Sequence, residues 1–445
     1  MRLRKARKKQ NCSTCCAIPS TGSRGEGVDS LEAWIRYGDE LRRPLCIAQG
    51  LGQASSVCIV GAGLSGLTLA YRIATKRPDL AIEVVERSDR CGGTIETWRS
   101  GEWICDVAVN ATRAHPAFWR LVDDLDLGES FSPSNSTATT RWISTRGRRQ
   151  KLSPWMVLRN GPLKVIKGIR NARRGGQSVA DAVPLSPLND AMTLGIVNDR
   201  SANVDADFLM PSMTRVGASP PVSWRKVKKL MSTTYPLFRP QKGATASFRG
   251  GMQTLIDRLK HRLDNLENVR FTMNAPPLAP QELAKERGLP LSSMIWCAPL
   301  DRPPSEFTHL NIYAAGYTET DTASVPQGYG TLIPDLDSPV SGVLHESDVH
   351  GSPRAPSGHR LFRVMSPSTQ TGSDDEVKAA LRQLLCEAEP VLFEKIGERS
   401  IPSYPPGYMA SLNPSKATFT RAGWFYSGVS ITHVVAEAER IADVF

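Results

Sequence analysis

An α/β fold is predicted by three features of the sequence. A short apolar strand, residues 57–60 (Val-Cys-Ile-Val), runs straight into Gly61-Ala62-Gly63-Leu64-Ser65-Gly66. A helical stretch from about Ser65 to Thr75 and a second apolar run at 81–85 follow, which is the minimal strand-helix-strand crossover of a parallel sheet. Much later, residues 309–365 alternate apolar and polar with Gly and Pro punctuation, the pattern of an antiparallel sheet. Together these describe a Rossmann-like βαβ domain, a mixed or antiparallel-sheet second domain and a partly helical insert. The 445 residues, 40% of them hydrophobic, are ample for a buried core and two or three domains.

The remaining elements follow in chain order. Residues 1–54 read as a basic, poorly ordered extension, with a short helix at Leu31–Tyr37. Pro116–Leu127 has helical periodicity through Phe118, Leu121, Val122 and Leu125. Residues 150–175 are basic and partly helical, and 184–224 are loop-rich in Pro, Ser, Asp and Asn. Ser247-Phe248-Arg249-Gly250-Gly251-Met252-Gln253 opens a helix with Leu255, Ile256, Leu259 and Leu263 on one face. Residues 294–298 are an apolar strand, and 375–396 a helix capped by Ser373 or Asp374. A glycine turn and a last helix fill 423–445.

The glycine motif carries the chemistry. Gly61 permits the tight turn, Gly63 lets the backbone approach a pyrophosphate, and Gly66 lets helix pack on strand. The N–H groups of Ala62, Leu64 and Ser65 lie in the same turn, where the helix N-terminus is positive. Glu86, twenty residues past Gly66, ends the second strand and can accept hydrogen bonds from a ribose. Glu86-Arg87-Ser88-Asp89-Arg90-Cys91-Gly92-Gly93-Thr94 extends the site: the glycine pair allows close passage to a ligand, and Arg90 can pair with phosphate charge. Nicotinamide-binding domains do not normally need that second pair.

Composition narrows the partners. The formal net charge of +11 is raised by Arg2, Arg4, Lys5, Arg7, Lys8 and Lys9, a block read as a solvated tail; no nucleic-acid partner is expected. Cys12, Cys15 and Cys16 form a C-x-x-C-C cluster without partner ligands at matching spacing, so no metal is expected. The nine cysteines show no disulfide framework, there is no secretory signal, and no run of 18 apolar residues occurs; a cytoplasmic location follows as the expectation. The seven histidines are dispersed, and no catalytic constellation stands out.

Gly61 to Gly66, Glu86 and Arg90-x-Gly92-Gly93 resemble the flavin-containing amine oxidase superfamily. Ser247–Leu255, Gly328-Tyr329-Gly330-x-Leu332-Ile333-Pro334 and Gly358-His359-x-Leu361-x-Arg363-Val364-Met365 are similar to its protoporphyrinogen oxidase branch. Gly428, Val429, Ser430 and Ile431 resemble that branch's closing flavin-contacting turn. The resemblance covers roughly 57–445. It implies FAD as cofactor, hydride transfer from a protoporphyrinogen or coproporphyrinogen of haem biosynthesis to flavin N5, reoxidation by oxygen, and possible peripheral contact with a membrane through the insert. It implies an FAD domain from 55–110, 241–300 and 400–445, an insert over 111–240, and a substrate domain over 301–399. Arg146, Arg148, Arg149 and Arg249 are candidate rim cations; Trp142, Trp155, Phe248 and Tyr329 are candidate pocket walls.

The chain departs from the pattern near the flavin ring. Gly-Pro after the acidic residue is Ala108-Val109 after Asp106, and the Asn of the closing turn is Trp424. Thr432-His433 replaces Pro-Asp, and the strand pair between Val269 and Met294 is shortened around Ala275-Pro276-Pro277-Leu278. Two alternatives therefore stay open: another FAD-dependent amine oxidase or desaturase, and a catalytically weak flavoprotein paralogue.

Overall fold

A computed structural model describes residues 43–153, 162–185, 188–214, 235, 237–238, 245–300, 306–335, 337–369, 373–412 and 417–445. The basic block, the cysteine cluster, Leu31–Tyr37 and Trp155 lie outside them.

The first layer is a five-stranded parallel sheet, order β10 (Val269–Thr272), β2 (Ala81–Val85), β1 (Ser56–Val60), β11 (Met294–Trp296), β17 (Thr420–Arg421). β1 is apolar throughout its middle because both faces of a parallel sheet are covered. One face carries α1 (Leu64–Lys76), α5 (Gln253–Asp264) and α8 (Ile431–Ala442). Leu67, Ile73, Leu259, Val435 and Ile441 interlock there in one core with Trp119 of α2 (Pro116–Asp124). Segments far apart in sequence thus build a single domain, and α2 packs against it rather than against the insert.

The second layer is a seven-stranded sheet. Its order is β16 (Leu392–Pro402), β12 (Phe307–Thr318), β15 (His359–Pro367), β14 (Gly342–Leu344), β13 (Gly330–Leu332), β7 (Arg141–Thr145), β8 (Arg148–Lys151). Only the β13–β7 pairing is parallel among these. Residues 141–151, read from sequence as insert, therefore belong to this sheet. The helix expected over 375–396 is α7 (Asp374–Leu384), capped by Ser373, and β16 begins at Leu392. Pro390 between them has no N–H to continue a helix.

Two small sheets join the layers. β3 (Thr97–Ser100) and β4 (Trp103–Asp106) form a hairpin; β5 (Thr112–Arg113), β9 (Thr245–Phe248) and β6 (Phe131–Pro133) form a three-stranded unit. The helical remainder contains α3 (Pro162–Ala172) and α4 (Leu188–Val197). Between β10 and β11, where the sequence departs from the resembled pattern by a shortened strand pair, stands the short helix α6 (Pro280–Glu286). Residues 43–54, inside the stretch expected to be poorly ordered, pack onto the first sheet: Leu51 is buried in its core, and Cys46 bridges Arg421.

Candidate functional site

The glycine turn is fixed by the end of β2. The Gly61 N–H donates to the Val85 carbonyl (2.7 Å) and the Ala62 N–H to Glu86 Oε2 (2.7 Å). Glu86 Oε1 accepts from the N–H (3.0 Å) and hydroxyl (2.8 Å) of Ser88. A carboxylate offers about four acceptor positions, so Glu86 keeps capacity for a further donor. Gly61 has φ 101° and lies against the backbone of Ala298. Gly63 is the extended N-cap of α1 and no side chain caps it, which leaves the first-turn N–H groups without a capping acceptor.

The second glycine pair stands beside the first. The Gly92 N–H donates to the Ala62 carbonyl (2.8 Å), and Gly63 bridges Gly92. Arg87 and Thr94 are exposed. Arg90, expected to face a phosphate, is exposed and also braces this turn: Nη2 donates to the Gly93 carbonyl (2.7 Å) and Glu96 Oε2 (3.0 Å). Gly61, Ala62, Gly63, Leu64, Ser65, Gly66, Glu86 and Gly92 are thus brought together. The closing turn adjoins them, because a Cβ on Gly423 would stand 3.6 Å from Ser65 Oγ. Gly428 has φ 98°, Ser430 caps α8, Val429 packs on the sheet-domain core, and Ile431 packs on the first-layer core.

The segment expected beside the flavin ring is held from both layers. Asp106 is fully buried; its Oδ1 accepts from Thr97 Oγ1 (2.6 Å) and the Met252 N–H (2.8 Å). Burial pushes its carboxyl up, opposed by Arg354 at 3.4 Å. Arg363, from β15, donates to the carbonyls of Asp106 and Ala108 (2.9 Å to the latter). Its Nε lies 3.2 Å from Glu346 Oε1, and the other Glu346 oxygen meets His350 Nε2 at 2.7 Å. Burial alone would raise the Glu346 carboxyl, but Arg363 and His350 hold it down at about 2. Val109 and Trp424, the two bulky departures, both pack against the first-layer core.

Asn110 ends this segment. Its Oδ1 accepts from the Tyr329 hydroxyl (3.0 Å), while its buried Nδ2 has no acceptor among the described residues. The Arg141 guanidinium lies 4.7 Å from the centre of the Tyr329 ring. Burial, and then the neighbouring Arg113 cation, pull Arg141 below its ordinary range. No carboxylate among the described residues pairs with Arg141.

The sequence-picked rim cations lie elsewhere. Arg146 occupies the β7–β8 turn at φ 50° and Arg148 is exposed beside it. The Arg149 guanidinium reaches the Leu384 carbonyl on α7, and Arg249 is exposed. Phe248 is core, and Trp142 donates to the Gln327 carbonyl (3.1 Å). Nothing local in the sequence marks Arg141; strand pairing places β7 beside β13 and Tyr329.

This arrangement defines a two-layer α/β fold with a Rossmann-like glycine turn at its parallel sheet. Comparisons with known proteins place it further. Residues 59–125 match the NAD(P)-binding Rossmann-like domain family. Coproporphyrinogen III oxidase of Mycobacterium tuberculosis is 27% identical over 171 residues, 38% of this chain and 32% of the relative. The chain's match therefore spans about a third of that relative's length. Protoporphyrinogen oxidase 2 of Arabidopsis thaliana is 22% identical over 484 residues, covering 87% of this chain and 93% of the relative. Among solved structures, cyclohexylamine oxidase from Brevibacterium oxydans superposes with a TM-score of 0.58 at 15% identity, over 87% of this chain and 98% of that one. The chain shares its fold with solved amine oxidases and is similar in sequence, at 22–27% identity, to protoporphyrinogen and coproporphyrinogen oxidases.

Proposed function

We propose that the chain is an FAD-dependent oxidase that removes a hydride from a carboxylate-bearing porphyrinogen and passes the electrons to oxygen. The carrying observation is Arg141: a half-buried guanidinium over the ring of Tyr329, whose hydroxyl donates to Asn110, a residue whose Nδ2 has no acceptor among the described residues. Burying a cation without a fixed carboxylate is costly, so this position suits a ligand that brings its own. The dinucleotide end supports the cofactor: α1 offers uncapped N–H groups to a pyrophosphate, and Glu86 retains acceptor capacity for a ribose.

When bound, FAD supplies the two-electron acceptor. The chain's own residues orient and exclude water. Arg363 and Asp106 pin the 106–110 segment between the layers, Tyr329 and Arg141 form a wall, and Arg141 positions a substrate carboxylate. The test is direct. Purified protein reconstituted with FAD shows the visible flavin spectrum and generates porphyrin fluorescence from protoporphyrinogen in air. Arg141→Gln then raises KM about ten- to a hundredfold, the loss of one charged hydrogen bond, with kcat nearly unchanged. The esterified porphyrinogen shows no such penalty. A flavin-loaded enzyme whose Arg141→Gln variant handles acid and ester as wild type does would sink the substrate assignment.

The surface around α3 supports peripheral binding to an anionic lipid surface. No helix among the described residues is long and apolar enough to cross a membrane. On α3, however, Leu163 is 79% and Ile166 55% exposed, flanked by exposed Lys164, Lys167 and Arg170. Apolar residues ringed by cations match an interfacial helix. Wild-type protein is expected to float with vesicles containing phosphatidylserine. The double change Leu163→Glu and Ile166→Glu is expected to leave it in the soluble fraction; equal flotation of both removes the idea.

A further inference from the structure

Residues 106–110 cross one face of the seven-stranded sheet, and a cation stands near each end of the crossing. Paired residues of neighbouring strands share a face. The row Arg141, Gly330, Leu344, Arg363 and Ala314 thus puts Arg141 and Arg363 on the side of Ala314. Leu310 and Ile312 alternate onto that same side, and Arg399 of β16 pairs with Leu310. Leu310, Ile312 and Ala314 are buried there in one core with Val107 and with Ala206 and Phe208 of the insert. Tyr313, Ala315 and Tyr317 belong to a separate core on the other side. The crossing is short. A Cβ on Gly397 of β16 would stand 2.7 Å from Val107 Cγ1, and Asn110 accepts from Tyr329 under Arg141. Three extended residues, from Val107 to Asn110, span about 11 Å at most. Arg399 lies two residues past Gly397 on the same strand.

The three cations of this face differ in their partners. Arg363 is offset by Glu346 at 3.2 Å. Arg399 is half-buried, its buried Nε has no hydrogen-bond acceptor, and no carboxylate among the described residues pairs with it. The two acids of its own strand are engaged elsewhere: Glu394 accepts from Trp98 Nε1 (3.1 Å), and Glu398 pairs with Lys395 (2.7 Å). Burial, and then the charge of Arg363, pull Arg399 down to about 10. Arg399 thus repeats, near Val107, what Arg141 shows near Asn110: a cation in a partly dry place with no fixed acid. A guanidinium so placed suits a carboxylate that arrives with a ligand.

We propose that Arg399 is a second substrate-binding residue, which holds a carboxylate at the edge of the tetrapyrrole opposite the edge held by Arg141. This rests on the porphyrinogen reading above. A tetrapyrrole with propionates on all four rings brings carboxylates to both ends of the crossing. One with propionates on two adjacent rings reaches a single end. The pair of cations therefore selects the tetracarboxylate over the dicarboxylate, and Arg399 is the residue that makes the difference.

The experiment titrates FAD-loaded wild type, Arg399→Gln and Arg399→Lys with the oxidised porphyrins, coproporphyrin (four propionates) and protoporphyrin (two). Quenching of tryptophan fluorescence reads binding without turnover, and thermal melting is recorded on the same samples. Wild type is expected to bind coproporphyrin about tenfold more tightly, the effect of one further charged hydrogen bond. Arg399→Gln is expected to lose that preference, and Arg399→Lys, which keeps the charge, to retain most of it. A merely structural Arg399 would lower the melting of both variants and leave the preference in place, which overturns the proposal. A wild type that binds the two porphyrins equally overturns it as well, whether or not the variants fold. A wild type that binds neither porphyrin removes the parent reading along with this one. Weakened binding in Arg141→Gln, together with an unchanged preference in Arg399→Gln, removes this one alone.

Discussion

Glu346→Ala is expected to destabilise the fold by about 3–5 kcal/mol, the usual cost of breaking one partner out of a buried ion pair. Glu346 is fully buried and faces Arg363 on one oxygen and His350 on the other. Arg363 in turn holds the Asp106 and Ala108 carbonyls, so its stranded charge would loosen the junction between the layers. Glu346→Gln is expected to recover little, because an amide does not offset a guanidinium. Removing both charges, as Glu346→Leu with Arg363→Met, is expected to recover part of the loss. The pH dependence has a definite sign. The folded carboxyl sits at about 2 against an ordinary 4.5. Its stabilisation is therefore complete above 4.5 and disappears as pH falls toward about 2. Urea unfolding of wild type and Glu346→Ala should show a gap that is widest at neutral pH and closes across that interval. Asp106 works in the opposite direction: its raised carboxyl contributes below its ordinary value and loses that contribution as pH rises through the folded one. A gap that stays constant from pH 5 to pH 2 would show that Glu346 is not the group responsible.

The parts of the site that were legible in the sequence are the parts governed by neighbours in the chain. Gly61, Gly63 and Gly66 each answer a backbone requirement within six residues, so spacing alone announces the turn, and α1 and β2 follow from apolar periodicity. Arg363, Glu346, Arg354 and Asp106 were not legible as a cluster, because β4, β15 and the stretch between them meet only through two sheets of different topology. Arg90 has a local role that spacing does not reveal: a cation near a glycine pair can serve a phosphate and its own loop carbonyls, and its short reach to Gly93 and Glu96 supplies the second. Residues 43–54 lack periodicity because they are tied by single contacts, at Cys46, Ala48 and Leu51, rather than by a repeating face. The periodicity over 375–396 spans two elements, because α7 ends at Leu384 and β16 begins at Leu392, with Pro390 between them unable to continue a helix.

Gly66→Ala and Gly63→Ala are expected to separate folding from cofactor binding, though they lie three residues apart in one motif. A Cβ on Gly66 would stand 1.9 Å from the Gly61 carbonyl oxygen. That oxygen has little freedom, since the Gly61 N–H is bonded to Val85 and the Gly61 Cα faces Ala298 and Cys297. Relief requires α1 to move off β1 by about 1 Å or more, given ordinary contact distances. The displacement would open the core that α1 shares with α5 and α8, at about 3 kcal/mol or beyond for overpacking against a rigid neighbour. Gly66→Ala should therefore lower stability and FAD uptake together. A Cβ on Gly63 meets nothing nearer than Gly93 Cα at 3.8 Å, and its backbone is extended with φ −73°. Gly63→Ala should then melt close to wild type within about 0.5 kcal/mol. Its methyl group nevertheless occupies the space through which the first turn of α1 would approach a pyrophosphate, so FAD affinity should fall about tenfold or more. Melting curves without FAD and fluorescence titrations with it decide the matter. If Gly63→Ala binds FAD as tightly as wild type, the pyrophosphate does not lie over this turn; if Gly66→Ala melts as wild type does, the helix is not seated on β1 through that glycine.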